Sequence, residues 1–240
     1  MKIFKLIIPT VLIAALIFCL TACGQKDANE EIKKIEKPKT AATQDEPDIV
    51  AKSDAVEISP NVNGMRFNMT LLQFTKQYNE IKQKRGETEG IINYNNWRKN
   101  SEPEMDENNV PVQYWYYDDT DVSFTATIEI NTQKLLNIGC GTTMNRFMSM
   151  TDDNKNSDII IGKAALMAQV ACGFPVDSEP VLQDIFYRTT TENKDTLWYS
   201  GFVFHLSTKQ DKSDTANNTM LFRVFPITNE LKEEWKLDEY

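Results

Sequence analysis

Residues 122–130 read VSFTATIEI and carry the clearest strand pattern of the chain. Apolar and polar side chains alternate along the whole stretch: Val122, Phe124, Ala126, Ile128 and Ile130 against Ser123, Thr125, Thr127 and Glu129. Because neighbouring side chains of a strand point to opposite faces, this alternation places one face on a core and the other in water. One wet face is typical of antiparallel sheets. The stretch therefore predicts a strand in an antiparallel sheet.

Further strands are predicted on both sides of this stretch. Residues 112–117, VQYWYY, precede it across an acidic turn, and residues 135–140 follow it after a polar turn. Strands joined by short turns pair with their sequence neighbours in antiparallel fashion. Residues 197–206 and 220–225 have the same apolar and aromatic character. The sequence therefore predicts antiparallel strands in both halves of the chain.

Helices are predicted in front of each group of strands. Thr70 and Gln73 form a capping box for a helix whose apolar residues recur at helical spacing as far as Gly86. A second helix, 158–172, ends at Gly173, a residue type that often terminates helices. Together these elements predict an α+β fold, an antiparallel β-sheet covered by helices on one face. The repeated order of helix and strands leaves open whether the domain has two helix–sheet halves.

The N-terminal residues have the pattern of an export signal. Lys2 and Lys5 provide a positive start, and residues 6–20 are apolar except for Thr10. That apolar run is shorter than the roughly 20 residues that a membrane-spanning helix needs. A short apolar run behind positive charge is typical of a secretory signal peptide. We therefore expect an exported protein.

The tetrapeptide Leu20-Thr21-Ala22-Cys23 resembles the lipobox of bacterial lipoproteins. The resemblance implies that residues 1–22 are a signal peptide cleaved before Cys23, that Cys23 is lipidated, and that the protein is held in a membrane by this anchor. Two or more acyl chains attach a protein stably to a bilayer. Gly24 stands where an Asp would imply retention at the inner membrane. We therefore expect the outer membrane in a Gram-negative host and the cell membrane otherwise.

The mature chain is predicted to have two parts. Residues 23–60 contain the lipidated cysteine and then a stretch with no aromatic residue and mixed charge. Such a stretch cannot bury enough apolar surface to offset the entropy lost on ordering. We therefore expect a flexible tether up to residue 60 and a single α+β globular domain over 61–240, a length sufficient for one hydrophobic core.

The charge balance restricts the class of partner. The chain has 26 basic and 35 acidic side chains, a formal net charge of −9. Loss of residues 1–22 removes Lys2 and Lys5 and no acidic residue, so the charge becomes −11. Nucleic acids and anionic bilayer surfaces require clustered Lys and Arg. We therefore expect no nucleic-acid binding and a membrane contact through the lipid anchor alone.

Two cysteines remain beyond the anchor, Cys140 and Cys172. An even pair in an exported protein is typical of a disulfide. This bond would stabilise the fold by about 3–4 kcal/mol in the chain-entropy model. Two buried free thiols are the alternative, since free cysteine is common in protein cores. We expect the disulfide, in a structural role.

The sequence shows no catalytic or metal-binding set. His205 is the only histidine and lies among apolar and aromatic residues. A zinc site would need both remaining thiols beside it, and a Ser-His-Asp triad would need the same histidine. No phosphate-binding loop and no dinucleotide motif occurs. We therefore expect no metal, no cofactor and no enzymatic activity.

Aromatic residues supply the candidate binding surface. In VQYWYY the alternation of a strand places Tyr114 and Tyr116 on one face and Trp115 and Tyr117 on the other. One pair should join the core and the other should be exposed, and exposed Trp and Tyr are typical anchors of protein interfaces. We take Trp115 and Tyr117 as the candidate binding face. Cross-strand packing of the rings is the alternative.

These observations favour a non-catalytic function. We expect a membrane-anchored lipoprotein that binds another protein of the cell envelope, in the periplasm or at the cell surface, through the open face of its sheet. A small-ligand-binding lipoprotein is the second hypothesis, and a cell-envelope hydrolase that uses the abundant carboxylates is the third. An exposed aromatic patch would favour the first, and a concave apolar pocket the second.

Overall fold

The computed structural model describes residues 54–59, 64–106, 109–148, 155–191, 194–210 and 218–240. All of them belong to one compact unit of the chain. The predicted signal peptide 1–22, the predicted lipidation site Cys23 and most of the predicted tether lie outside the described residues.

Strands and helices follow one another in mixed order. The strands are β1 (Val56–Ser59), β2 (Gly64–Phe67), β3 (Arg98–Lys99), β4 (Glu104–Met105), β5 (Pro111–Asp118), β6 (Ser123–Glu129), β7 (Leu135–Thr143), β8 (Thr196–Tyr199), β9 (Phe202–Lys209) and β10 (Thr219–Pro226). The helices are α1 (Leu71–Lys84), α2 (Met144–Met148), α3 (Lys155–Cys172), α4 (Glu179–Thr191) and α5 (Asn229–Trp235). Within the described ranges, no helix combines the length and the apolar character needed to cross a membrane.

One eight-stranded antiparallel sheet dominates the fold. Its strands lie in the order β3-β5-β6-β7-β10-β9-β8, and β4 pairs with β5 beside β3. The stretch VSFTATIEI contains β6, and its alternation is observed from Val122 to Ala126. Beyond that point the predicted wet face is wrong, because Thr127 and Glu129 are buried together with Ile128. The predicted α+β class, with helices packed on an antiparallel sheet, is confirmed.

The helices α1, α3 and α4 pack on one face of this sheet. α3 lies against β7, α4 lies against β9, and the two helices contact each other. Between ring centroids, Tyr78 of α1 lies 5.5 Å from Phe124 of β6. Phe186 of α4 lies 5.4 Å from Phe204 and 5.3 Å from Phe222. These five rings are fully buried, so the hydrophobic core lies between the helices and this face.

The strand order is symmetric about the central pair of β7 and β10. β5, β6 and β7 form one antiparallel meander, β8, β9 and β10 form another, and the last strands of the two meanders meet in the middle of the sheet. α1 precedes the first meander, whereas α3 and α4 precede the second. The arrangement of the elements therefore contains two helix–sheet halves.

A hairpin of β1 and β2 begins the described fold. It packs against β7 and β10, and Phe67 stacks on Phe202 with ring centroids 5.9 Å apart. Arg66 forms ion pairs with Glu57 of the same hairpin and with the buried Glu129 of β6. The prediction of a tether up to residue 60 is therefore wrong at its C-terminal end, because β1 is fixed by pairing and the fold begins before residue 61.

Both edges of the large sheet are occupied. β3 and β4 pair with the outer side of β5. At the opposite edge, residues 238–240 run beside β8. The N–H of Trp198 donates to the Asp238 carbonyl at 2.8 Å, and the N–H of Tyr240 donates to the Trp198 carbonyl at 3.0 Å. β5 and β8 therefore each have a hydrogen-bonded neighbour on their outer side.

Cys140 and Cys172 are free and fully buried. Cys140 lies on β7 within electrostatic reach of Lys163 on α3. Cys172 is the last residue of α3, and no disulfide joins the two cysteines. The structure therefore contains two buried thiols in place of the predicted disulfide, and burial raises the pKa of both.

Candidate binding face

The sheet face that points away from α1, α3 and α4 is called the open face here. Strand register places Thr125, Gly139, Arg223 and His205 in one row across its middle, from β6 to β9. The residues beside them along each strand, such as Phe222, point into the core. The open face is therefore built from the alternate residues of the same strands that carry the core.

At the centre of the open face, β7 presents no side chains, because it has glycine at two successive outward positions. A Cβ added at Gly141 would lie 2.8 Å from the Met220 carbonyl oxygen and 3.0 Å from Cδ1 of Leu221. A Cβ added at Gly139 would lie 2.9 Å from the same Leu221 atom. Leu221 therefore fills the space above both glycines, and glycine in a strand permits this close approach.

A groove of about 1080 Å³ lies on the open face. Its floor consists of residues of β5, β6, β7 and β10, and residues of β2 and α5 also line it. Its large or charged side chains include Met105, Tyr114, Tyr116, Arg223, Phe225 and Trp235. We call this concavity the face groove.

Large side chains are exposed in the face groove. Tyr116 is 42% exposed, Trp235 is 47% exposed and Met105 is 68% exposed. Single exposed apolar residues are ordinary, whereas several that line one concave surface indicate a contact site. The helix-free side of the sheet therefore carries three large exposed side chains within one concavity.

The predicted candidates Trp115 and Tyr117 lie on the other, helix-covered face. β5 pairs with β6 so that Trp115 stands opposite Ala126 and Tyr117 stands opposite Phe124, both core residues. Tyr117 is only 8% exposed. Trp115 is partly buried against the same core, and it is also among the residues that line the face groove. The prediction that these two residues form the exposed face is therefore wrong, because the other aromatic pair of the strand lies on the open face.

The charges in the face groove are unequal. Arg223 is the one basic residue among those that line it, whereas Glu104, Asp106 and Glu234 are acidic. Burial, and then the negative charge of Glu104, raise the pKa of Tyr114. The Tyr114 hydroxyl is therefore a hydrogen-bond donor at neutral pH, in a groove with one cation among several carboxylates.

His205 lies on the open face with local partners. Its Nδ1 is 2.9 Å from the Thr196 hydroxyl of β8, and its ring also bonds the backbone of Asp195. Burial lowers the pKa of the imidazole, which is therefore neutral near pH 7. In the described part of the chain, no three or more His, Cys, Asp or Glu residues are grouped so as to hold a metal ion.

Sequence reasoning alone misses the central residues of the groove. Gly139 and Gly141 flank a buried cysteine within a strand, and glycine at such a place signals close approach by another group. Arg223 and Trp235 carry no local signal. Their positions depend on the meeting of β7 with β10 and on where α5 lies.

No protein-family model, no curated protein and no solved structure matches this chain. An assignment of function therefore depends on the residues and the geometry of the open face.

Proposed function

We propose that this chain is a membrane-anchored, non-catalytic binding module whose face groove engages a protein of the cell envelope. The observation that carries the proposal is the set of exposed Tyr116, Trp235 and Met105 with Arg223 in one groove. Aromatic residues, Met and Arg are enriched in protein interfaces, and Trp, Tyr and Arg supply much of their binding energy. The groove therefore has the composition of an interface.

The size and form of the groove support a macromolecular partner. Its volume of about 1080 Å³ is at the upper limit of small-molecule sites, which span about 300–1,000 Å³. Its floor spreads over four strands of the sheet. A surface of this breadth suits a polypeptide segment.

The floor of the groove is also held in place before a partner arrives. β10 pairs with β7 on one side and with β9 on the other, and the opposite face of these strands carries fully buried rings. A preorganised surface loses little conformational entropy on binding. The fold therefore supports recognition by a fixed surface.

A small-ligand site is the second candidate, and a hollow next to the face groove, with Thr125 and Leu221 in both linings, favours it. This hollow has a volume of about 370 Å³ at the other end of the open face, and Asp121 and Arg146 are among its lining residues. The volume falls within the range of about 300–1,000 Å³ for small-molecule sites. Its charges are largely paired, since Arg146 and Lys163 both bond Asp121. We therefore rank it below the face groove.

The membrane anchor is part of the proposal and rests on the similarity of residues 20–23 to a lipobox. The test is metabolic labelling of the full-length chain with an alkyne analogue of palmitate. We expect label and membrane retention in the wild type and neither in Cys23→Ser. An unlabelled wild-type chain would contradict the anchor while leaving the face groove untested by this measurement and open to the next one.

Site-specific photocrosslinking tests the face groove. A benzophenone amino acid placed at position 116 of the full-length chain, in cells of its own host, should give a discrete light-dependent adduct with one protein. The matched control carries the same group at position 187, where Tyr187 is exposed on α4, on the helix side of the sheet. Equal adducts at both positions, or none at position 116, would contradict the proposal.

A further inference from the structure

Arg223 differs from the other arginines of the chain in its ion pairing. Five arginines pair with carboxylates: Arg66, Arg85, Arg98, Arg146 and Arg188. Arg223 forms no ion pair with any residue in the described ranges. The exception is the one arginine that lies in the face groove.

The residues directly opposite Arg223 on both neighbouring strands are uncharged. Its register partner on β7 is Gly139, which has no side chain, and its partner on β9 is His205, whose pKa is lowered by burial and which is neutral. The positive charge of Arg223 also acts on Tyr114 across the groove. The two cross-strand neighbours of this half-buried cation therefore offer it no opposite charge.

An anion would complete this site. Removing a charge from water is unfavourable unless an opposite charge and hydrogen bonds replace the water. When a partner covers the groove, Arg223 loses its remaining solvent. The guanidinium fork matches the two oxygens of a carboxylate, with parallel N–H···O bonds.

We propose that Arg223 binds the carboxylate of an Asp or Glu side chain of the protein partner, at the centre of the face groove. The inference rests on the proposed function and names the chemistry of its partner. Tyr114 and Tyr116 lie on the neighbouring part of the floor and contact the residues beside that acidic side chain. The Arg223 pair fixes the position of the segment, and the tyrosines add contact area.

The acidic residues of the groove determine which residues can stand next to the acidic side chain in the partner segment. Glu104, Asp106 and Glu234 repel a polyanion such as a nucleic acid or a run of acidic residues. A segment with one acidic residue between Lys or Arg residues matches both the central cation and the acidic surroundings. The partner segment therefore combines one Asp or Glu with basic neighbours.

Selection from a random peptide library displayed on phage tests this chemistry. Immobilised full-length wild-type protein should enrich peptides with one Asp or Glu beside Lys or Arg. Arg223→Gln should lose the enrichment for Asp and Glu. Arg188→Gln, which removes a partly exposed and paired arginine of α4 on the helix side of the sheet, should select the same peptides as the wild type. Unfolding midpoints of the three proteins check that they are folded.

A thermodynamic cycle with the best selected peptide measures the pair directly. Changing its acidic residue to the amide should weaken binding to the wild type by about tenfold or more, since a hydrogen-bonded charge contributes about 1.5–3 kcal/mol. The same change should have little effect on binding to Arg223→Gln. Equal weakening of both proteins would overturn the proposal.

The outcomes separate this inference from the proposed function. Selected peptides without an acidic residue that still require Tyr116 would overturn the role of Arg223 and support the groove as a protein site. A selection that yields no peptide dependent on Tyr116 would contradict both. Peptides that depend on both residues support both.

Discussion

The two faces of the sheet use the same strands and differ in their physical character. On the helix-covered face, Phe124, Phe204 and Phe222 are fully buried and contact aromatic rings of the helices. On the open face, alternate positions of these strands hold Thr125 and Arg223, with glycines between them. The alternation of a strand therefore separates the side chains that stabilise the fold from those available for recognition.

The separation is incomplete where the β1–β2 hairpin lies. Glu129 stands on the open-face side of β6, opposite Val112 of β5, yet it is fully buried and paired with Arg66. A buried carboxylate is tolerated only with such a partner. This end of the open face therefore contributes to stability, as does the close packing of Leu221 over the two glycines of β7.

The largest loss of stability is expected for Phe222→Ala on the covered face. Its ring packs against Phe147 and Phe186, and removing such a ring costs about 3–5 kcal/mol of unfolding free energy. Tyr116→Ala on the open face should change it by no more than about 0.5 kcal/mol. Urea unfolding measures both, and similar losses would show that the two faces contribute alike.

The next largest effect is expected for Arg66→Gln. It should lower the free energy of unfolding by about 3 kcal/mol, because it leaves the buried carboxylate of Glu129 without its partner. Arg98→Gln is the control, since the Arg98–Asp118 pair is exposed and such pairs contribute about 0–1 kcal/mol. The double variant Arg66→Met, Glu129→Leu should recover part of the loss in the same unfolding measurement. A loss from Arg98→Gln as large as that from Arg66→Gln would argue against a special role for the hairpin pair.

Gly141→Ala should lower stability by about 1–3 kcal/mol, the range for overpacked sites. The new methyl group would meet a backbone carbonyl 2.8 Å away, which cannot move aside as a side chain can. Gly162→Ala on α3 is the matched control, because its nearest group is 3.7 Å away, and alanine in a helix is favoured by about 0.5–1 kcal/mol. Thermal unfolding should show shifts of opposite sign, and a shift of the same sign would contradict the close packing above β7.

The smallest effect is expected from acid titration of Asp121, which joins the helix layer to the turn before β6. The hydrogen bond from Lys163, 2.9 Å away, lowers the pKa of Asp121. A carboxyl whose pKa is lower in the folded than in the unfolded chain stabilises the fold. This contribution is complete above the pKa of the unfolded chain, about 3.9, and is lost as the pH falls through the pKa of the folded protein. Asp121→Asn should therefore lose less stability than the wild type between about pH 5 and pH 2.

A Lys163→Met background provides the control for this titration. In that background, proteins with Asp or with Asn at position 121 should differ less in how much stability they lose at acid pH, because the main cause of the lowered pKa of Asp121 is gone. An unchanged acid dependence in Asp121→Asn would show that other carboxylates account for it.

The covered face could be predicted well because its signals are local. The alternation over 122–130 gives β6, and the capping box of Thr70 and Gln73 is present at the start of α1. Both depend on residues that are close in sequence. Local patterns therefore predict the elements and the fold class.

The open face could not be predicted to the same extent because it depends on pairing between distant segments. The pattern VQYWYY separates two sets of side chains, and only the register with β6 shows that Trp115 and Tyr117 turn toward the core. Likewise, the free state of Cys140 and Cys172 follows from their places on β7 and α3. An even number of cysteines in a sequence does not show whether the fold brings two thiols together.

Pairing at both edges of the sheet determines how selective the groove can be. Addition of a strand from a partner reads mainly the backbone and accepts many sequences, but β5 and β8 already have outer neighbours. The exposed β3 carries Arg98 and Lys99, and charges on a short edge strand oppose such addition and the growth of fibres. Under the proposed function, recognition would therefore depend on side chains, and a single substitution in a partner segment would decide whether the groove accepts it.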